Sequence, residues 1–149
     1  HDRCRAHGMT YLRVGFTGTQ KGMTPGQKGQ FVDFLVELDQ SPKGPIVHFR
    51  HGDCIGADAD AHNLVRLNFE NVMIIGHPPK NETKRAFCKV DLEMASFDYL
   101  VRNRMIVNNS DYLVACPGEP DEQLRSGTWS TVRYARNHMG MFRIHLILP

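Results

Sequence analysis

At 149 residues with 41% hydrophobic side chains, the chain is long enough for one globular domain with a real core and too short for two ordinary ones. Lys and Arg number 18 against 16 Asp and Glu, a formal charge of +2 that excludes the dense basic stripe needed for non-specific nucleic-acid binding and leaves anion recognition to a local site. Cys4, Cys54, Cys88 and Cys116 form no CxxC pair, and no apolar run approaches the roughly 20 residues of a membrane span, so the reading is a reduced, cytoplasmic protein without a membrane partner.

His1 to Gly8 carry no periodic pattern and read as a disordered leader or an expression remnant, with the domain running over 9–149. From there β-rich segments alternate with segments of helical period, the pattern of βα units and a mostly parallel sheet. A first strand is expected over 11–17. A glycine-rich turn follows, then a helix over 25–39 with Phe31, Phe34, Leu35 and Leu38 on one face and Thr24 as its cap.

A second strand over 45–49, a loop over 50–57, a helix over 58–67 and a third strand over 71–76 come next. Residues 77–97, with two prolines and mixed charges, read as an irregular excursion able to act as a lid. Phe97, Leu100, Val101, Met105 and Ile106 fit a further helix, followed by a strand over 112–115. A last helix over 128–138 is closed by Gly140, and a final strand covers 143–148. The expected fold is a single Rossmann-like, three-layer α/β domain with five strands in the order 3-2-1-4-5. Its ligand crevice should lie at the C-terminal ends of the first and fourth strands.

Three loops fall at strand ends. Gly15-Phe16-Thr17-Gly18-Thr19-Gln20-Lys21-Gly22 combines glycines that allow close backbone approach with hydrogen-bonding Thr17, Thr19 and Gln20. The same residues also suit a plain strand-to-helix turn. It is neither GxGxxG nor a P-loop, and no cofactor is expected. In His51-Gly52-Asp53-Cys54-Ile55-Gly56-Ala57-Asp58, Asp53 or Asp58 is placed to accept from a ribose diol, while Asp58 also fits an ordinary helix cap. Asp53 is the preferred ribose partner.

Arg125-Ser126-Gly127-Thr128-Trp129-Ser130-Thr131 opens the last helix, where unpaired N–H groups and the positive end of the helix dipole favour a phosphate. Trp129 reads equally as a base-stacking or a core residue. Arg102 reads as a solvated helix residue or as a guanidinium aimed at the crevice. His48, His51, Cys54 and His62 lack the close paired spacing of a zinc site, so no metal is expected.

Taken together, Gly15 to Thr19, His51 to Asp58 and Arg102 through Thr131 resemble the SLOG superfamily, which unites DprA/Smf proteins with LOG-type phosphoribohydrolases. The resemblance implies a Rossmann-like fold that binds a nucleotide or nucleotide-derived small molecule, commonly as a homodimer. It implies that Arg102 matches the catalytic arginine of LOG enzymes and that Arg125 to Thr128 match the end of their phosphate loop, with Asp111 and Pro117 in step between them. Three residues after the loop threonine, where LOG enzymes carry a catalytic glutamate, this chain has Thr131.

The leading expectation is therefore ligand binding by Gly18, Thr19, Gln20, Lys21, Asp53, Gly56, Asp58, Arg102, Pro117, Arg125, Ser126, Gly127, Thr128 and Trp129. The alternative is N-glycosidic hydrolysis of a nucleoside 5'-monophosphate by Arg102 and Asp53, with Asp58 and Glu119 as other carboxylates able to replace the missing one. DNA binding in the manner of DprA is not favoured by the balanced charge.

Overall fold

A computed structural model of the chain describes residues 11–149, so the leader expected over 1–8 lies outside the described residues. Strand β1 (Leu12–Gly18) is covered on both faces. Leu12, Val14 and Phe16 enter the main core, while Gly15 lies so close to Ile106 and Ser110 that a Cβ there would fall 2.5 Å from the Ser110 hydroxyl. Helix α1 (Pro25–Gln40) starts at Thr24 by a reciprocal capping box. Thr24 Oγ1 accepts the Gln27 N–H at 3.1 Å, and Gln27 Oε1 accepts the Thr24 N–H at 3.0 Å.

The chain continues through β2 (Ile46–His51), α2 (Ala57–Asn68), β3 (Met73–Gly76), β4 (Leu92–Glu93), α3 (Tyr99–Asn108), β5 (Tyr112–Cys116), α4 (Gly127–Met139) and β6 (Ile144–Leu146). Helices α1 and α2 cover one face of the sheet, where Phe16, Phe31 and Phe49 form its centre; the Phe16 and Phe31 rings meet edge to face at 5.4 Å. Burying each ring contributes about 2–3 kcal/mol. Helices α3 and α4 cover the other face over Leu113 and Ala115, with Val107, Trp129, Val132 and Ala135. Successive β5 side chains thus alternate between two cores, which is why that segment is apolar throughout.

The sheet has six strands, all paired in parallel, in the order β4-β3-β2-β1-β5-β6. This corrects the expectation of five strands in the order 3-2-1-4-5: the added strand, β4, comes from the excursion and lengthens the β3 edge. The excursion is fastened to the rest of the fold. Asp91 anchors it to β3 by accepting the Ile74 N–H at 2.7 Å, and Arg85 ties it to Asp53 and Glu93. The chain moves from β1 to β2 on one side and reaches β5 on the other, so the loops leaving β1 and β5 diverge and open a crevice between them.

Candidate functional site

That crevice is a cleft of about 680 Å³ lined from both loops. One wall is Gly18 to Lys21. The Thr19 N–H donates to the Cys116 carbonyl at 3.0 Å, and the Thr19 carbonyl accepts the Ala57 N–H at 2.8 Å, which fixes the loop to the end of β5 and to the first turn of α2. The other wall is Arg125 to Thr128. Ser126 caps α4 by accepting the Trp129 N–H at 3.2 Å, while the Gly127 and Thr128 amides, by their position in the first turn, have no acceptor within the helix. A Cβ added at Gly127 would meet nothing within 4 Å, so the backbone is open to an incoming group. Lys21 and Arg125 are exposed at the rim, and neither forms an ion pair with another described residue.

Arg102, 5% exposed, forms part of the floor, but most of its guanidinium is committed to the protein. Nη1 donates to the Gly52 carbonyl and, at 3.1 Å, to that of His77; Nε donates to Asn103 Oδ1 at 2.7 Å, and the plane lies 5.2 Å from the Tyr99 ring centre. The glycine at 52 makes this possible, since a Cβ there would sit 2.3 Å from Nη1 and 2.9 Å from Asp58 Oδ2. Asp58 does not cap α2, whose N-cap is Gly56. Its carboxylate accepts the Cys54 N–H at 3.1 Å from inside the first turn. Burial raises its pKa to about 6, against the pull of Arg102 and the backbone donors.

Four of the expected ligand residues do not line the cleft. Asp53 is 2% exposed and fully engaged: Arg85 Nε and the Cys88 N–H each donate to its carboxylate at 2.8 Å. Gly56 supports the first loop from behind. Pro117 turns its carbonyl to the Gln27 side chain at 2.9 Å. Trp129 is 3% exposed against Ala115 and Val132, which resolves its two readings in favour of the core. The cleft adds Tyr99 and Asn103, which the sequence reading passed over because they lie in the first turns of α3 and not in a glycine-bearing strand-end loop. Glu119, considered only as a replacement carboxylate, also lines it.

The structure brings together a His/Cys set that sequence spacing concealed: donor atoms of His51, His62 and Cys88 lie within 4.8 Å of one another. Hydrogen bonding fixes how the imidazoles are used. His51 Nδ1 accepts the Asp53 N–H at 2.9 Å, so the ring proton sits on Nε2 and is donated to His62 Nδ1 at 3.1 Å. A metal on His51 Nε2 would have to displace that proton and move it to Nδ1, facing another N–H. The pair is a hydrogen-bonded core element. Burial and the neighbouring His62 lower the His51 pKa to about 3, while burial and Asp53 raise the Cys88 thiol to about 12.

Three of the buried groups contribute to the acid response with opposite signs. His51 and His77 have folded pKa values near 3 and 4, below their unfolded value of 6.5, so each contributes stability above pH 6.5 that is lost as pH falls through the folded value. Asp58 has the opposite sign: raised from 3.8 to about 6, it contributes stability at low pH that is lost as pH rises through 6. Between pH 6 and 4 these three groups leave one net proton favouring the unfolded chain. Together these three groups should lower the unfolding free energy by about 1.4 kcal/mol per pH unit on acidification, and Asp58→Asn should steepen the protein's slope by about the same amount. Urea titrations at pH 4, 5 and 6 would check this, and an unchanged or shallower slope in the variant would contradict the assignment.

No protein-family model and no curated protein matches the sequence. Among solved structures, the chain is similar to a molybdenum cofactor binding protein from the phototrophic bacterium Rippkaea orientalis, with a TM-score of 0.66 and 21% identity over 95% of this chain and 78% of that one. It is also similar to TM1055, a structural-genomics target, with a TM-score of 0.54 and 19% identity over 85% of this chain and 69% of that one. At these identities the likeness is one of fold, and it identifies the domain as Rossmann-like α/β.

Proposed function

We propose that the cleft binds a phosphorylated nucleotide or nucleotide-derived ligand. The observation that carries this reading is the convergence of both loops, at the point where the strand order reverses, on the open first turn of α4. The Gly127 and Thr128 amides, the hydroxyls of Thr19, Ser126 and Thr128, and the rim cations Lys21 and Arg125 form the phosphate seat. Ile55 and Tyr99, both exposed on the cleft, offer apolar surface for a heterocycle. Asp58, rather than the engaged Asp53, is the carboxylate positioned for a ribose hydroxyl. The neighbour described as a molybdenum cofactor binding protein is compatible with a small-molecule ligand and adds that cofactor to the candidates.

The second reading is hydrolysis of a nucleoside monophosphate, favoured by the two carboxylates on the cleft, Asp58 and Glu119. It lacks the carboxylate of the LOG pattern, since position 131 is a threonine, here buried with its hydroxyl donated to the Gly127 carbonyl at 2.9 Å. Thermal unfolding with a panel of nucleoside phosphates and the molybdenum cofactor, run beside an assay for released base, separates the readings. A ligand present at 100 times its Kd should stabilise the fold by about 2.7 kcal/mol, a shift of roughly 5–10 °C, without base release. Gly127→Glu should fold at least as well, since a carboxylate suits the first turn of a helix, and yet lose about tenfold or more in affinity. Base release abolished by Asp58→Asn would establish the second reading, and no shift with any ligand would refute both.

A further inference from the structure

We propose that the ligand continues past its first phosphate into a second, cationic chamber, and so is a nucleoside 5'-diphosphate or a larger pyrophosphate-linked nucleotide rather than a monophosphate. This deepens the reading above and rests on it. A second cleft, of about 510 Å³, lies between α3 and α4 and shares Tyr99, Asn103, Arg125, Ser126 and Gly127 with the first. The phosphate seat is therefore a saddle between two chambers and not the end of one.

The chambers differ in charge. Asp58 and Glu119 offset the cations of the first, whereas the second is lined by Arg104, Arg125 and Arg133 and by no carboxylate. Arg133 is occupied, donating to Glu122 Oε2 and to the Gln123 and Leu124 carbonyls at 3.1 Å each. Arg104 is held 5.0 Å over the Tyr134 ring and forms no ion pair with a described residue. Arg104 and Arg125 thus leave net positive charge facing a groove whose neutral lining, including Ser130 and Asn137, can donate hydrogen bonds. A nucleoside in the first chamber with its first phosphate on the saddle would direct a second phosphate toward these arginines. A monophosphate would leave that chamber filled only by water.

The test is calorimetric titration of matched mono- and diphosphates of each common base into the wild type, Arg104→Glu and Gly127→Glu. For the preferred base, the diphosphate should bind the wild type at least tenfold more tightly than the monophosphate. Arg104→Glu, at an exposed position without an ion pair among the described residues, should remove that advantage and leave monophosphate affinity within twofold. Gly127→Glu should weaken both. Equal affinities for mono- and diphosphate, or equal weakening of both by Arg104→Glu, would overturn the extension while the proposed function stood. Binding of neither to the wild type would overturn the proposed function and the extension with it.

Discussion

Gly56→Ala should lower the stability of the fold by about 3–5 kcal/mol and abolish ligand binding, although Gly56 does not itself line the cleft. Gly56 has φ +92° and ψ −127°, a conformation that L side chains rarely adopt. Its Cβ would also stand 2.3 Å from the Gln20 carbonyl oxygen and 2.7 Å from Gln20 Cα. These are backbone atoms, so no rotamer change relieves the contact. The loop itself must move, taking Thr19, Gln20 and Lys21 with it and breaking the bond between Ala57 N–H and the Thr19 carbonyl. A denaturant midpoint near that of the wild type, with ligand affinity retained, would show that the first loop is not held from behind in this way.

Arg102→Ala should cost about 3 kcal/mol even without ligand. The substitution leaves the Gly52 and His77 carbonyls without their shared donor in a buried floor and removes the positive charge that draws the Asp58 pKa down. Arg102→Lys should recover little, because a single ammonium cannot reproduce a planar fork bonded to two carbonyls and to Asn103. Unfolding of the ligand-free variants measures this directly. A variant as stable as the wild type that had lost only affinity would instead make Arg102 a direct ligand residue, as the sequence pattern implied.

The contrast between these two sites shows what the sequence made legible. Periodicity located α1 to within one residue at its C-terminal end, and Thr24 announced its start, because an N-cap is a local interaction among neighbours; the reciprocal bond from Gln27 came only with the structure. The start of α4 was legible for the same reason: Ser126 and Gly127 open a helix directly after a strand-end loop. Long-range partners were not legible. Asp53 is consumed by Arg85, 32 residues away, and no local pattern links them. Strand β4 has two exposed residues without alternation and forms because Asp91 fastens the chain to the free edge of β3. Trp129 was ambiguous because helix position alone does not say which face of α4 meets Ala115 on the sheet. His51, His62 and Cys88 meet only once β2, α2 and the excursion have packed.

The most direct test of the central claim is to follow backbone amide resonances of the labelled protein during titration with the ligand that gives the largest thermal shift. If the cleft is a phosphate site built on the start of α4, the Gly127 and Thr128 amides should show the largest perturbations and Thr19 to Lys21 should move with them, while the His51 and His62 region stays still. Saturable binding that leaves Gly127 and Thr128 unperturbed and shifts residues elsewhere would contradict the account.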